Sequence, residues 1–542
     1  MTNPLDILFI GAVMNYDGRT GSLANYIRQD GKWIAPFQYI YRQHPQLFRS
    51  EAEACVYDIP NLSICELVDY LARQGELSFH IVWHFDYHRE EIVDILRSRP
   101  PRLVAVSSTL AFFPEYLKAA VRWLNEHKAP ETRVVVGGKW LYANWSTLAA
   151  SARLERLLAE VDADFYVINR YGQETLHRLL QAARAGDGAA MAGLPNLAWR
   201  RRLDLGPVRP DAALAGPDYV INPVVMETQV EGANLVDFGR IGQRFLGEIV
   251  HVRTASSCPF RCRFCTFPAL AGDYVAFDLD GVMAQLRQLK GLGVRYLFFI
   301  DDTFNVPLKR FEDLLDRMIA ADLGMEWVSF FRPQFANAQV VAKMRDAGCR
   351  MVFCGIESGN DRILAAMNKK VTVADFLRGF AFLDRAGITI AASYFVGYPG
   401  ETYQTAMDTL ALVSDPRIAF SRGSVFYYDP NAPVGRMAEE YGLSGFGAEW
   451  RHKTMTSREA AQIHLEMVDR MESVNVQISD GAGWSVFHLY AKGLSIEQLK
   501  ALYAEFNALQ KEQIRAAGRL ALSQYRVFGR KRPEAQATEE GP

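Results

Sequence analysis

Cys258, Cys262 and Cys265 stand in the run Cys258-Pro259-Phe260-Arg261-Cys262-Arg263-Phe264-Cys265. A C-x3-C-x2-C spacing puts three thiolates on one short loop. Three thiolates can hold three irons of a four-iron cluster and leave the fourth iron open to a further molecule. Three close cysteines also suit zinc, with His251 or a more distant residue completing a tetrahedron, and spacing alone leaves both metals in play.

The elements that must position this loop form a parallel β/α pattern. Apolar runs at Ile249 to Thr254, Tyr296 to Ile300, Trp327 to Phe331, Met351 to Ile356, Ile390 to Val396 and Gly423 to Tyr427 alternate with helical periodicity. The cysteine loop follows the first run. After the second comes Asp301-Asp302-Thr303-Phe304-Asn305, after the third Arg332, and after the fourth Gly355-Ile356-Glu357-Ser358-Gly359-Asn360-Asp361. The fifth ends in Phe395-Val396-Gly397-Tyr398-Pro399-Gly400-Glu401-Thr402, and Asp429-Pro430-Asn431-Ala432-Pro433-Val434-Gly435 lies beyond the sixth. In β/α barrels chemistry sits at the carboxyl ends of the strands. Taken singly, Gly397 and Gly400 need only shape a turn, Glu401 can cap a helix and Arg332 can be an interior ion-pair partner.

Taken in order, these segments resemble the motifs of radical S-adenosylmethionine (SAM) enzymes, and the ordered set argues against zinc. The resemblance implies a partial (β/α)6 TIM barrel over 248–441 and a [4Fe-4S] cluster on Cys258, Cys262 and Cys265, with Phe264 beside the last. In that family SAM chelates the open iron, and one electron cleaves it to methionine and a 5′-deoxyadenosyl radical. Carried over residue by residue, Asp302, with Asp301, holds the SAM ammonium, since acidic residues often replace the glycine-rich motif in the cobalamin-binding branch. Arg332 pairs with the carboxylate, Glu357 and Ser358 contact the ribose, and Gly397 shapes the adenine turn.

Residues 1–193 form a separate unit. Strands are expected at Leu5 to Ala12, Phe79 to Trp83, Leu103 to Val106, Arg133 to Val136 and Asp164 to Ile168, with helices between them such as Pro114 to His127. This is the pattern of a doubly wound, Rossmann-like α/β sheet. Ser108-Thr109-Leu110 and Gly137-Gly138 resemble the Ser-x-Leu and Gly-Gly elements of cobalamin-binding domains, and Tyr171-Gly172-Gln173-Glu174 resembles the segment that closes such a domain. The resemblance places cobalamin against Ser108, Thr109, Leu110, Gly137, Gly138, Gly172 and Glu174. Asp86-Tyr87-His88 is only a fragment of the family's cobalt-ligating motif, so no histidine is expected beneath the cobalt, and His88 is assigned to a helix start.

Residues 194–247, with Arg200-Arg201-Arg202 and several prolines, are expected to be a linker containing a short hairpin. Residues 442–525 are expected to be a small, mostly helical C-terminal domain, entered by a Thr456-Ser457-Arg458-Glu459 capping box. By family analogy it shapes the substrate pocket, with Tyr428 and His452 as substrate contacts. Residues 526–542 are expected to be a disordered tail.

A net charge of -2 over 542 residues gives no basic surplus for nucleic acid. No apolar run reaches the ~20 residues of a membrane span, and no signal peptide is visible, so a cytoplasmic enzyme is expected. The remaining cysteines, Cys55, Cys65, Cys349 and Cys354, fit buried thiols in a reducing compartment, although Cys354, close to Glu357, could donate hydrogen to a radical. The resemblance implies a cobalamin-dependent radical SAM methyltransferase that uses methylcobalamin and acts on unactivated carbon or phosphorus. Its substrate would be a small molecule or peptide, and its electron donor a flavodoxin or ferredoxin. Cyclisation or rearrangement without methyl transfer, methylthiotransfer and a non-catalytic cobalamin carrier or sensor are the alternatives.

Overall fold

Short runs of buried branched and aromatic residues build two parallel sheets. The computed structural model describes residues 5–13, 23–54, 59–111, 114–148, 152–207, 212–227, 235–471, 474–475 and 484–517. Cys55 and the C-terminal tail lie outside them.

The first sheet contains β1 (Leu5–Ala12), β2 (Phe79–His84), β3 (Pro101–Ser107), β4 (Arg133–Gly137), β5 (Phe165–Val167), β6 (Leu197–Arg200), β7 (Leu214–Ala215) and β8 (Tyr219–Ile221). Its order is β2-β1-β3-β4-β5-β6-β8-β7. The first five strands are parallel, and β6 to β8 continue antiparallel. In the 2-1-3-4-5 order the chain reverses direction between β1 and β3, and the crevice beyond the carboxyl ends at that point is where such sheets bind ligands. Val104, Val106, Val134 and Val136 are fully buried, as expected of a sheet covered on both faces.

Within 194–247 the expected hairpin is present as β7 and β8, and together with β6 it extends the first sheet instead of lying in a free linker. These strands are only two to four residues long, too short to leave a periodicity in sequence, and it is pairing with β5 that makes them strands.

The second sheet runs in chain order through β9 (Ile249–Val252), β10 (Tyr296–Phe299), β11 (Glu326–Phe330), β12 (Cys349–Glu357), β13 (Thr389–Val396) and β14 (Ile418–Val425). A short last strand, β15 (Val474–Asn475), completes it, and all neighbours are parallel. The sixth strand starts at Ile418, upstream of the expected Gly423, because Ser421 and Arg422 interrupt the apolar run while the pairing with β13 continues through them.

One face of this sheet carries helices. Phe298, Val328, Met351, Phe353 and Phe420 on the other face pack against Phe37, Ile40, Phe487, Tyr503 and Phe506. Tyr296 meets Phe487 at 5.9 Å, and Tyr39 meets Phe506 at 5.7 Å. The C-terminal part is therefore no separate domain. Its helices Trp484–Ala491 and Ile496–Ala517 share a core with the second sheet and with residues 23–54 of the N-terminal segment, and in the last helix Gln513 Oε1 accepts from Arg28 N while Gln510 Nε2 donates to Leu23 O. Nor is it helical throughout: Ser444–Phe446, Glu449–His452 and Met455–Thr456 form a three-stranded antiparallel sheet before the helix Ser457–Arg470, whose capping box uses Thr456 and Glu459.

One apolar cluster runs through both sheets, from Phe9 and Phe165 through Phe238 to Val250, Leu286 and Trp327. Among the described residues no helix is long and apolar enough to cross a membrane.

Candidate active site at the carboxyl ends of the two sheets

The cysteine loop leaves β9 through a left-handed Ser257 (φ 63°), whose hydroxyl donates to the Gly272 carbonyl at 2.7 Å. Cys262 is buried, and Cys258 and Cys265 are half-buried. Hydrogen bonds from outside hold the loop: Arg263 N donates to Met367 O, Val434 N to Arg263 O, and Asn368 Nδ2 to Arg261 O, each at 2.8 Å. The Cys258 thiol lies 3.2 Å from the Thr303 hydroxyl, and Arg332 Nη2 lies 3.7 Å from Cys262 Sγ. Burial pushes the Cys265 thiol up to about 11, with Cys262, Cys258 and Asp302 adding to it, so a thiolate here needs a bound cation to offset its charge.

Three soft donors on one loop fit an iron–sulfur cluster. The zinc alternative would draw its further donor from His251 or a more distant residue. Among the described residues no three His, Cys, Asp or Glu side chains gather around a point fit for one ion. His251 is buried against the Phe298 ring at 5.6 Å, and desolvation lowers its pKa to about 3.

Around the loop the expected SAM residues fall into two groups. Phe264, Asp302 and Arg332 belong to or adjoin the loop, and Glu357 is linked to Phe264 only through Lys369, whose Nζ bonds Glu357 and lies over the Phe264 ring. Arg332 stacks on the Phe260 ring at 3.4 Å, Phe264 packs edge-on to Phe395 at 5.3 Å, and Asp302 lies within electrostatic reach of Cys265. Asp302 is solvent-exposed, although protein crowds its carboxyl. Desolvation raises its carboxyl to about 6; Asp301 adds to the rise, while Arg253 and Lys139 oppose it.

The second group is turned away. Asp301 is buried, and its carboxylate accepts from Thr254 N at 3.0 Å and Thr254 Oγ1 at 2.8 Å, so it ties β9 to β10 and offers nothing to an ammonium. Ser358 is fully buried against Thr409, 3.4 Å between hydroxyls. Gly397 has φ 103°, and a Cβ there would lie 2.3 Å from the Trp450 ring. Its N–H donates to Glu401 Oε2 at 2.5 Å, and its carbonyl accepts from His452 Nε2 at 3.1 Å.

The two residues expected to touch substrate are likewise interior. His452 stacks on Trp450 with ring centroids 5.1 Å apart, its Nδ1 held by Thr454. Tyr428 is 4% exposed, and its backbone pairs with Gly447. Cys354 is fully buried in the core between sheet and helices, which makes it a packing residue.

In the first sheet the expected turns meet. Ser108 N and Oγ both donate to Gly137 O, at 2.7 and 2.8 Å. A Cβ at Gly138, φ 110°, would lie 2.9 Å from Thr109 Oγ1, so this glycine lets the two turns abut and form one floor. Leu110 packs toward the core of the second sheet. Gly172 is a left-handed N-cap of the helix Gln173–Ala185. Glu174 is engaged by Tyr70 at 2.7 Å and Arg178 at 2.6 Å, a brace between helices. His88 stands at the N-cap position of the helix Arg89–Ser98, its side chain turned back so that Nδ1 lies 2.9 Å from His84 O.

Sequence reasoning missed several residues. Lys139, directly after the Gly-Gly turn, reaches across to the second sheet: its ammonium lies 4.8 Å over the Phe267 ring and within electrostatic reach of Asp302 and Cys265. Arg170 reaches the Gly272 turn of the cysteine loop. Lys369 bonds Glu357 at 2.8 Å. Glu227 caps the helix Gln173–Ala185 through Thr175 and Glu174 N–H groups at 3.1 Å. Each is a long-range contact with no local spacing to betray it, although a lysine next to a Gly-Gly turn was a visible cue.

Residues 252–413 match the family described as the Radical SAM superfamily. An uncharacterized methyltransferase of Pyrococcus horikoshii is 27% identical over 32% of this chain and 38% of its own length. A tRNA-2-methylthio-N(6)-dimethylallyladenosine synthase of Pseudomonas aeruginosa is 27% identical over 40% of this chain and 51% of its own length. The chain thus spans about half or less of these curated relatives. Among solved structures, the radical SAM methyltransferase TsrM of Kitasatospora setae, with cobalamin and a [4Fe-4S] cluster bound, superposes with a TM-score of 0.54 at 17% identity. That match covers 81% of this chain and 75% of TsrM. OxsB with aqua-cobalamin superposes with a TM-score of 0.55 at 12% identity, covering 96% and 80%. At such identities the likeness is one of fold.

Proposed function

With residues 252–413 a radical SAM domain, we propose that the protein is a cobalamin-dependent radical SAM methyltransferase acting on unactivated carbon or phosphorus of a small molecule or peptide. One observation carries the reading. Lys139, on the turn that would cradle a corrinoid, faces Asp302 and Cys265 on the loops that would hold cluster and SAM. The two carboxyl edges thus approach each other at Lys139, and on this reading reacting groups from both would meet there away from water.

When bound, the cluster supplies the electron that cleaves SAM, and the corrinoid supplies the methyl group. The chain's own part is positional. Cys258, Cys262 and Cys265 hold three irons, Asp302 takes the SAM ammonium, Arg332 its carboxylate and Glu357 the ribose. Asp301, Ser358 and Gly397 fix the loops behind them. In the first sheet Ser108, Thr109 and Gly137-Gly138 make the floor for the nucleotide tail, with Leu110 toward the second sheet and Gly172 and Glu174 closing the far side. The overlay with TsrM and OxsB supports this assignment of the first sheet. The reading places the enzyme in the reducing cytoplasm, with a flavodoxin or ferredoxin as electron donor and no nucleic acid as substrate.

The curated matches to methylthio-tRNA synthases favour a second reading, methylthiotransfer. That chemistry would need a second cluster on N-terminal cysteines. Cys55 and Cys65 are two N-terminal cysteines where three are expected, and Cys65 is fully buried on the helix Leu62–Arg73, which argues for methyl transfer.

The test is anaerobic reconstitution with iron, sulfide and hydroxocobalamin, then incubation with SAM and a strong reductant. Retained corrinoid together with 5′-deoxyadenosine and methylcobalamin is the expected result. A loaded cluster without corrinoid would overturn the assignment of the first sheet, and a carrier or sensor would give no 5′-deoxyadenosine. A product cyclised without an added methyl group would redirect the reading to rearrangement.

A further inference from the structure

Residues 366–370 belong to none of the strand-end motifs, yet they touch most of them. Met367 O and Asn368 Nδ2 hold the cysteine loop at Arg263 N and Arg261 O, and Ala366 O accepts from Arg263 Nη1 at 3.0 Å and the Tyr398 hydroxyl at 3.3 Å. Lys369 O accepts from Arg332 Nη1 at 3.2 Å. Asn368 and Lys370 are both left-handed, φ 55° and 59°. Two such residues in three mark a segment whose shape is imposed by what it holds.

Lys369 itself is 6% exposed. Its Nζ donates to Glu357 Oε1 at 2.8 Å, with only 8% of the lysine and 15% of the glutamate side chain accessible, and it lies 5.8 Å over the Phe264 ring. Glu357 is left-handed too, φ 62°, at a break in register where β12 pairs with β13. A glutamate has no side-chain feature that favours that region, so its surroundings must hold it there. The ion pair is the strongest contact available to do so, because a shielded, charge-assisted bond outweighs a neutral one. It uses one carboxylate oxygen and leaves the other as an acceptor for a ligand.

We propose that Lys369 is a positioning residue for SAM. It fixes the left-handed Glu357 in its ribose-binding orientation and ties that orientation to Phe264 and Arg332, so that cluster loop and SAM site are set together. This rests on the reading of the cleft as a SAM site.

The experiment uses full-length protein with a reconstituted cluster and measures SAM affinity by equilibrium dialysis, with the change that SAM causes in the electron paramagnetic resonance spectrum of the reduced cluster. Lys369→Met should load iron and sulfide like wild type, bind SAM about tenfold more weakly, a loss of ~1.4 kcal/mol, and show a diminished spectral change. Lys369→Arg should recover most of the affinity. The double variant with Glu357→Gln should bind no more weakly than the weaker single variant, because both changes remove one pair. Wild-type affinity in a loaded Lys369→Met protein overturns the proposal. Should that variant fail to load, Lys369→Gln carries the same expectation and the same refutation. A loaded wild type that binds no SAM overturns the SAM reading itself, a distinct result.

Discussion

The carboxyl edges of the two sheets solve different problems. In the first, Ser108, Thr109, Gly137 and Gly138 satisfy one another: a serine donates twice to a glycine carbonyl, and a glycine makes room for a threonine. That edge offers shape, a neutral and finished surface for a ligand to lie on. In the second, half-buried thiols, a raised carboxyl at Asp302 and a left-handed Glu357 held by a lysine are left with capacity to spare. That edge offers charge and donors. Lys139 is the exception that links them, a cation from the first edge pointed at the second.

Substitutions at each edge should therefore fail differently. Cys262→Ala should lower iron content and take SAM cleavage below detection, while corrinoid retention on desalting stays at the wild-type level. Gly138→Ala should do the reverse: a Cβ 2.9 Å from Thr109 Oγ1 at a positive φ costs ~1–3 kcal/mol, releasing corrinoid but leaving the cluster absorbance intact. Loss of both ligands in either variant would break the contrast.

The adjacent aspartates sharpen it on a smaller scale. Asp301→Asn should lower thermal stability by ~1–3 kcal/mol, since Thr254 loses a charged acceptor. Asp302→Asn should not lower the melting point, since it removes a charge that desolvation already disfavours in the fold, and should weaken SAM binding. Equal effects of both substitutions on stability would refute the division of labour.

A further contrast concerns pH. Burial raises the Glu401 carboxyl to about 7, against the Gly397 and Tyr398 backbone bonds and Arg362. The folded protein holds that proton more tightly than the unfolded chain, whose glutamates titrate near the ordinary value. Its stabilising effect is therefore complete below that value and is lost as pH climbs to about 7, a change on the order of 3 kcal/mol at most. Melting curves of wild type and Glu401→Gln across this window test it: the variant should show the flatter dependence, and parallel curves would remove Glu401 as the cause.

Sequence carried the strands whose burial is uniform, such as Val134 to Val136, and the cysteine loop, because both are local patterns. It misplaced the sixth strand, where Arg422 interrupts the apolar run. It left β6 to β8 in a linker with a short hairpin, since their place in the sheet comes from a neighbour. The residues it singled out do stand next to strand ends, but sequence did not say which way they point. Asp301 and Asp302 are one residue apart and look alike in sequence; only the packing of Thr254 assigns one to the scaffold and the other to the cleft. Lys369 and Glu227 act on partners 12 and about 50 residues away, beyond the reach of any spacing rule.

The core that runs unbroken from Phe9 through Phe238 to Trp327 means that neither sheet is a cassette. A fragment beginning at residue 248 would bare the Val250 and Leu286 surface, and an isolated first sheet would bare its own apolar half, each an invitation to aggregate. The two halves must therefore be expressed, folded and turned over together, and transplanting the first sheet onto another catalytic scaffold would require carrying its packing face along.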